Sequence, residues 1–304
     1  GDIPYLVGRD SADVWANREY FNMNISAGAP PDMFSTTGQK WGVPTYNWDS
    51  IKNRNYEWYR LRLKQAENYF DLYRIDHAVG IYRIFSIDQE RPDGSIGVFD
   101  PENSSTWEEH GETLIKMMLD STSMLPIAED LGVVPDCVRP NLKKLGVPRT
   151  IVERWERNYE GDGSFVKLSD VEPVAMNTVS THDTETLRQW WRDNPEERAR
   201  FAEHLHLQGP PPETLTPEIH QQIIERSLNS SCLFTINLPQ DIFRSRFFSE
   251  NPDIHRINVP ATVSRANWSY YFPLPMEDLV CSATKEIEAE NARIRKLNER
   301  SGRC

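Results

Sequence analysis

The sequence predicts an α/β fold of the (β/α)8 barrel type. Short apolar segments of strand length alternate along the chain with segments of helical periodicity. That alternation is typical of a parallel sheet whose faces are covered by helices. Three of the apolar segments also end in a carboxylate, at Asp76, Glu129 and Asp183. In a (β/α)8 barrel the functional residues gather at the carboxyl ends of the strands, so these acids are expected on one face.

Six strands are predicted in chain order, because each segment is short, apolar and bounded by turn-forming or acidic residues. They cover residues 3–8, 72–77, 124–130, 150–155, 175–180 and 231–238. A closed barrel of this type has eight strands, and the sequence starts within its first predicted strand without an initiator methionine. We therefore expect a chain that is truncated at its N-terminus and lacks two strands. The outer segments, 3–8 and 231–238, are apolar and uncharged, unlike a protected edge. We expect them to be covered by the chain's own N-terminal segment or by another chain.

Helices are predicted where apolar residues recur every three to four positions. They cover residues 56–70, 105–119, 135–145, 184–193, 195–207, 216–228 and about 276–300. Ser105 is expected to cap the second of them, and Thr216 followed by Pro217 is a typical start. Gly146 stands where a left-handed residue ends a helix. Residues 28–48 are rich in glycine and proline and predict a long inserted loop, a feature that is often functional. All of these elements are assigned to one catalytic barrel domain, residues 1–304.

Composition excludes several classes of partner. A formal charge of −12 argues against nucleic acid and anionic membranes, which need a basic surface. No apolar run approaches the roughly 18 residues of a membrane span. Four widely spaced cysteines, Cys137, Cys232, Cys281 and Cys304, have no metal-ligand spacing and favour a reducing cytoplasm. Nine tryptophans and eleven tyrosines are many for 304 residues, and aromatic faces can stack on sugar rings.

Arg74 and Asp76 are the central candidate pair. Side chains alternate along a strand, so these two point to the same side of segment 72–77. The arginine favours the ionised form of the aspartate, which is the form that attacks an electrophilic sugar carbon. An Arg–Asp pair on a strand is more often a structural ion pair, so this pair alone does not assign a function.

Two further acids in similar positions give the pair its chemical meaning. Cleavage of a glycosidic bond with retention needs a carboxylate nucleophile and a carboxylic acid about 5–5.5 Å apart. Asp76 suits the nucleophile, and Glu129 suits the acid/base because neighbouring carboxylates favour its protonated form. Asp183 suits an acceptor for sugar hydroxyls, with His182 as a second polar contact.

Other residues near the strand ends have simpler explanations. Taken singly, each acid is more often a helix cap or a solvated loop charge. Asp130 and Asp241 also follow strands, and we assign neither a chemical role. His77 is predicted to pack or hydrogen-bond, because it points away from Asp76. Trp15 and Trp48 are predicted to be packing residues.

Three motifs resemble the catalytic stretches of the amylomaltases. They are Arg-Ile-Asp-His at 74–77, Ala-Glu-Asp-Leu-Gly at 128–132 and Thr-His-Asp at 181–183. The amylomaltases are 4-α-glucanotransferases, or disproportionating enzymes, related to the α-amylase clan. Four further stretches resemble the family in the same order between Gly1 and about Leu279. These are Gly-Asp-Ile-Pro at 1–4, Gly-Ala-Pro-Pro-Asp at 28–32, Gly-Gln-Lys-Trp-Gly-Val-Pro-Thr-Tyr at 38–46 and Pro-Gln-Asp at 239–241.

The resemblance implies a retaining α-1,4-glucan transferase on a (β/α)8 barrel, acting between a glucan donor and a glucose or maltooligosaccharide acceptor. By motif position, Asp76 would be the nucleophile, Glu129 the acid/base and Asp183 the stabiliser of the transition state. Arg74 and His182 would support them. Residues that would line the sugar groove are Asp2, Gln39, Trp41 and Asn267. The resemblance implies no metal and no organic cofactor.

The chain departs from the family's pattern in two places. The family's barrel begins with two strands ahead of the Gly-Asp-Ile-Pro strand, and this sequence does not supply them. Residues 263–268 read Val-Ser-Arg-Ala-Asn-Trp, where the family has glycine and proline ahead of Asn-Trp. This difference affects the local acceptor site rather than the reaction class.

Two other functions remain open on the sequence. Plain hydrolysis of the same bond would use the same three carboxylates. A chain that lacks two strands could also be a catalytically silent glucan-binding fragment. The long segment 28–48, with its glycines and tryptophans, has the composition of a lid over an acceptor, and for that reason we favour transfer.

Overall fold

The computed structural model describes residues 1–31, 35–159, 161–243, 251–260, 262–273, 275–282 and 284–302. Asp32 of the 28–32 motif and Cys304 lie outside the described residues. The chain divides into two compact units, Gly1–Thr150 and Ile151–Cys304. Each unit is built from short strands and helices that alternate along the chain.

The first unit contains ten strands, counted over its described residues and including the strand that ends it. They are β1 Asp2–Ile3, β2 Phe21–Asn22, β3 Ile25–Ala29, β4 Gln39–Lys40, β5 Thr45–Tyr46, β6 Leu72–Ile75, β7 Ile84–Asp88, β8 Val98–Asp100, β9 Leu125–Ala128 and β10 Arg149–Val152. Its helices are α1 Ala12–Ala16, α2 Trp48–Asn53, α3 Glu57–Ala66, α4 Val79–Tyr82, α5 Trp107–Leu119 and α6 Val138–Lys144. Short 3-10 helices cover Arg18–Tyr20 and Ser104–Thr106.

A parallel sheet organises this unit. β6 pairs with β1 on one side and with β9 on the other, and β9 pairs in turn with β10. The register sets Asp2 beside Arg74 and Ile75 beside Ala128. Asp76 and Glu129 are therefore the first residues past the ends of two adjacent strands. The parallel arrangement brings both side chains to the same edge of the sheet, as the alternating sequence pattern predicted.

Segment 28–48 is not the continuous loop that the sequence predicted. Its described part contributes to a four-stranded antiparallel sheet in the order β4-β3-β7-β8, and β5 pairs with β2. Gly28 makes this possible, because a Cβ atom there would lie 2.0 Å from the carbonyl oxygen of Gln39. β3 was not predicted, because its sequence, Ile-Ser-Ala-Gly-Ala at 25–29, consists largely of small residues without apolar alternation.

Aromatic side chains fill the core of the first unit. Tyr5, Tyr46, Tyr59 and Tyr82 are almost completely buried. Tyr73 and Ile75 of β6 also point into this core, and they alternate with Arg74, which does not. Because side chains alternate along a strand, Arg74 reaches the face at the strand ends, whereas Tyr73 and Ile75 do not.

The second unit contains strands β11 Ala175–Thr178 and β12 Phe234–Thr235, which pair in parallel. Its helices are α7 Leu187–Asp193, α8 Pro195–His204, α9 Pro217–Leu228, α10 Pro239–Ile242, α11 Met276–Val280 and α12 Lys285–Ser301. The 3-10 helices cover Glu153–Trp155 and Pro252–His255. Thr216 caps α9 by accepting from the Ile219 N–H, as predicted. The terminal segment forms two helices, α11 and α12, instead of one.

The six predicted strands are all found, but each is shorter than its apolar segment. Pro4 has no N–H to donate, so it cannot extend the ladder of β1. Ser105 is not the predicted cap: it lies within the 3-10 helix that precedes α5, and Asn103 caps that helix by accepting from the Ser105 N–H. Gly146 follows α6 with a φ of 70°, the left-handed conformation expected of it. Within the part of the chain that the structure describes, no helix is both long and apolar enough to span a membrane.

Candidate active site

One arginine joins three carboxylates at the strand ends of the first unit. The Nη1 atom of Arg74 donates to both carboxylate oxygens of Asp2, at 2.8 and 3.0 Å. The Nη2 atom lies 3.0 Å from Asp76 Oδ1 and 2.7 Å from Glu129 Oε2. The structure thus brings together four of the predicted site residues on β1, β6 and the end of β9.

The shared nitrogen limits how far apart the two candidate catalytic acids can be. Both oxygens lie within 3.0 Å of Arg74 Nη2, so they can be no more than about 6 Å apart. Retaining pairs are separated by about 5–5.5 Å, whereas inverting pairs stand roughly 6.5–9.5 Å apart to admit a water molecule. The nearest oxygens of Asp76 and Glu129 therefore lie below the inverting range.

Backbone N–H groups orient the same two carboxylates. Tyr5 donates its N–H to Asp76 Oδ2 at 3.4 Å, and His77 donates its N–H to Glu129 Oε2 at 2.9 Å. His77 adopts a φ of 43°, which is uncommon for a residue with a side chain. Neither backbone donor was predicted from the sequence, because main-chain hydrogen bonds to distant residues leave no residue-type signal.

The His77 ring packs against two aromatic rings, as predicted. It lies 5.0 Å from the Trp41 ring in a perpendicular arrangement and 6.1 Å from the Tyr5 ring. Burial lowers the pKa of His77 to about 4. The charge of Asp76 raises this pKa, and the charges of Arg83 and Arg74 lower it. The imidazole is therefore neutral at neutral pH.

Arg74 remains charged in this setting, and the acids around it stay accessible. Burial lowers the pKa of Arg74, but Glu129, Asp2 and Asp76 together raise it above its usual value. The side chains of Asp76 and Glu129 keep 35% and 22% of their surface exposed. The cluster is fixed on the protein side and open on the other, so a substrate can reach it.

Two other predicted groove residues lie on and beside β4. Trp41 donates its indole N–H to Gln39 Oε1 at 3.0 Å, which fixes the orientation of the amide. The Trp41 ring also packs on the ring of His77, so the segment that follows β4 contacts the residue next to Asp76. The indole and the amide are the aromatic and polar groups that sugar rings and hydroxyls contact.

The second unit contains the third candidate acid. Asp183 Oδ1 accepts from Asn258 Nδ2 at 2.7 Å, and its Oδ2 lies 3.1 Å from His182 Nε2. Asn258 also donates its backbone N–H to the His182 carbonyl at 3.1 Å. The sequence did not indicate Asn258, which lies 75 positions from Asp183.

The loop after Asn258 presents an exposed tryptophan to His182. The Trp268 ring lies 5.1 Å from the His182 ring and is 65% exposed. The Asn267 side chain donates to the Val259 and Thr262 carbonyls at 3.3 and 3.1 Å and accepts from the Val259 N–H. Asn267 therefore holds the shape of its own loop, and Trp268 is the exposed group that the sequence reasoning did not select.

Asp130 and Asp241 are structural, in agreement with the prediction. Asp130 is fully buried and accepts from Arg139 Nε at 2.9 Å and from Arg149 Nη1 at 3.4 Å. Burial raises the pKa of Asp130, and both arginines oppose that change. Asp241 is also fully buried and accepts from the Leu187 N–H at 2.7 Å, at the start of α7. Burial raises its pKa to about 6.

Two carboxylates close together at adjacent parallel strand ends match the paired acids that glycoside-cleaving enzymes use. The profile of the family described as 4-alpha-glucanotransferase, glycoside hydrolase family 77, matches residues 1–275. The chain belongs to this family. It is 40% identical over 281 residues to a 4-alpha-glucanotransferase of Chlamydia pneumoniae, covering 92% of this chain and 52% of that protein. It is 30% identical over 282 residues to the chloroplastic/amyloplastic enzyme of Solanum tuberosum, covering 90% and 45%.

Solved structures show the same fold. An amylomaltase from Streptococcus agalactiae in complex with acarbose superposes with a TM-score of 0.77 at 24% identity, covering 100% of this chain and 57% of that one. An amylomaltase from Corynebacterium glutamicum gives a TM-score of 0.72 at 18% identity, covering 94% and 44%. The fold is thus of the (β/α)8 type predicted from the sequence, and this chain carries part of the barrel. The chain spans about half the length of the curated relatives it matches.

Proposed function

We propose that this chain carries the catalytic residues of a 4-α-glucanotransferase, which moves α-1,4-glucan segments from a donor to a glucose or maltooligosaccharide acceptor with retention. The observation that supports this most directly is the sharing of Arg74 Nη2 by Asp76 and Glu129, at 3.0 and 2.7 Å. Two carboxyl groups held this close suit a double displacement and leave little room for the water of an inverting reaction.

In the first step Asp76 Oδ attacks the anomeric carbon of the donor, and the bond from that carbon to the bridging oxygen breaks. Glu129 transfers its proton to that oxygen, so the shortened glucan leaves as a neutral alcohol. In the second step Glu129 takes the proton of the acceptor hydroxyl, whose oxygen attacks the same carbon while Asp76 leaves. Two inversions at one carbon give net retention.

Arg74 supports both acids in this scheme. It orients Asp76 through one carboxylate oxygen, and the Tyr5 N–H helps to fix the second oxygen. The leaving oxygen needs a proton in the first step, and the nucleophile does not supply it. We assign this proton to Glu129, the acid/base.

Asp183 and His182 are proposed to bind the hydroxyls of the sugar at the cleavage point. Asn258 and His182 both contact the Asp183 carboxylate, so its orientation is set before a substrate arrives. A preoriented carboxylate can stabilise the positive charge of an oxocarbenium ion, which is the role proposed for Asp183. Asp2, Gln39, Trp41 and Asn267 are proposed to line or shape the groove.

The surroundings of the enzyme follow from the same reasoning. Its partners would be α-1,4-glucans of starch, glycogen or maltose metabolism. We place the protein in the cytoplasm, because its four cysteines are sparse and widely spaced in the sequence, which favours a reducing compartment.

Incubation with maltotriose tests the proposal. Transfer yields glucose together with maltooligosaccharides longer than the substrate, whereas hydrolysis yields only shorter products. Retention on an amylose column without any product would identify a glucan-binding chain instead. The Asp76→Asn variant is the matched control, because it keeps the shape of the side chain and removes the nucleophile. A ladder of longer products from Asp76→Asn equal to that of the parent would overturn the assignment.

A further inference from the structure

A buried arginine lies behind the Asp183 turn of the second unit. Arg154, in the 3-10 helix that follows β10, is only 4% exposed. Its Nη1 donates to Ser180 Oγ at 3.3 Å, and its Nη2 donates to Thr184 Oγ1 at 3.2 Å. Nη2 also donates to the Glu185 carbonyl at 3.2 Å. The guanidinium thus binds the residues on both sides of the segment that carries His182 and Asp183.

Hydrogen bonds within the turn carry this contact to its centre. Thr184 Oγ1 accepts from the Thr181 N–H at 3.1 Å, and the Thr184 N–H donates to the Thr181 carbonyl at 3.2 Å. The Thr184 hydroxyl therefore connects Arg154 to the residue before His182. Because His182 and Asp183 are the only residues between Thr181 and Thr184, their backbone has little freedom once both threonines are fixed.

Packing fixes the guanidinium itself. Its central carbon lies 5.1 Å from the Trp190 ring centre and 5.4 Å from the Trp155 ring centre. Burial lowers the pKa of Arg154 to about 10, with Asp241 and Glu185 acting against it. A buried charge is costly unless its hydrogen bonds are made, and an apolar residue would fill the same space at lower cost. An apolar residue, however, would not make the hydrogen bonds that Arg154 donates to Ser180, Thr184 and Glu185.

We propose that Arg154 is a positioning residue for the Asp183 carboxylate: it clamps Ser180 and Thr184 so that the turn between them holds Asp183 in its reactive orientation. This inference rests on the proposed function, since Asp183 needs an accurate position only if it serves the transition state. It adds a residue that follows a different strand and lies outside the three catalytic motifs.

The test compares Arg154→Met with Arg157→Met in maltotriose disproportionation. Arg157 is a matched control, because it is an arginine of the same unit whose side chain is only 10% exposed, stacks on Phe165 and pairs with Glu197. Arg154→Met should lower kcat about 100-fold with a much smaller change in KM, the loss expected from an error of about 1 Å in a positioned group. Arg157→Met should lower the thermal midpoint and leave kcat within about 2-fold of the parent.

Two further variants separate the possible failures. Arg154→Lys can still donate to one of the two hydroxyls, so it should recover about tenfold of the lost kcat; it also carries the test if Arg154→Met does not fold. Asp183→Asn should be inactive. If Asp183→Asn turns over normally, the proposed role of Asp183 is wrong. If Asp183→Asn is inactive while Arg154→Met keeps the kcat of Arg157→Met, the positioning role alone is wrong.

Hydrogen exchange gives a readout that does not depend on turnover. The amides of residues 181–184 should exchange about tenfold faster in Arg154→Met than in Arg157→Met, since their local opening becomes easier. Equal exchange rates in the two variants would overturn the inference, whether or not the chain is active.

Discussion

Glu129 and Asp130 are adjacent in sequence, follow the same strand and both contact arginine, yet their surroundings differ. Glu129 shares Arg74 with Asp2 and Asp76 and keeps 22% of its side chain exposed. Asp130 has no exposed surface and is surrounded by Arg139, Arg149 and the Thr150 N–H. Contact with arginine therefore does not distinguish the proposed acid/base from the structural acid, whereas exposure to solvent does differ between them.

The second unit repeats the contrast. Asp183 retains 31% of its side-chain surface, whereas Asp241 retains none. Asp241 accepts from the first N–H of α7, whereas Asp183 is oriented by Asn258 and His182 and stays partly exposed. If this contrast holds, substitution of an accessible acid should lower turnover, and substitution of an enclosed acid should lower stability.

The largest effect is expected from Asp76→Asn. Loss of the nucleophile should lower kcat by about 10⁴-fold or more, as for other single catalytic groups. The side chain is partly exposed, so the thermal midpoint should stay within about 3 °C of the parent. Disproportionation kinetics and a melting curve measure both. An inactive variant that is also unfolded would place Asp76 with the structural acids.

Glu129→Gln should lower turnover of maltooligosaccharides by about 10³-fold, because the leaving oxygen then receives no proton. An α-glucosyl fluoride needs no such proton, so the variant should still form the covalent intermediate from it. Mass spectrometry of the protein after incubation detects the adduct. Normal disproportionation of maltotriose by Glu129→Gln would contradict the acid/base role.

Asp241 should make stability depend on pH. Its folded-state pKa of about 6 is above the ordinary value, so the folded state binds the proton more tightly. The stabilisation is complete below about pH 4 and is lost as the pH rises to about 6. Relative to Asp241→Asn, the parent should lose about 3 kcal/mol of unfolding free energy in all, most of it between about pH 4 and pH 7. Denaturant titrations of both proteins at pH 4, 5, 6 and 7 measure the difference; parallel curves would show that burial of Asp241 has no such consequence.

The smallest effect is expected from Asp130→Asn. It removes charge-assisted hydrogen bonds to Arg139 and Arg149, at a cost of about 2 kcal/mol in unfolding free energy. Since Asp130 does not reach solvent, kcat per folded molecule should change less than about 3-fold. Activity measured well below the melting temperature provides the comparison. A large loss of kcat without loss of stability would remove the distinction from Glu129.

The sequence indicated the strands that end in acids and the pairing of Arg74 with Asp76, because strand alternation and apolar runs are local patterns. It did not indicate that Arg74 also binds Asp2 and Glu129, since that depends on the register of β6 with β1 and β9. Asn258 could not be predicted from the sequence either, because only folding brings it to Asp183. The antiparallel sheet around β3 was missed because close backbone approach there requires small residues, which carry no apolar signal.

The left-handed backbone at His77 restricts what evolution or mutagenesis can place beside Asp76. Glycine, asparagine and aspartate adopt a φ near 43° most easily, whereas valine, isoleucine and threonine are strongly disfavoured. In a library of all nineteen substitutions at position 77, survivors should therefore be ranked by backbone preference rather than by resemblance to imidazole. The selection would act on a main-chain N–H, a group that every residue except proline shares and that no sequence comparison can display.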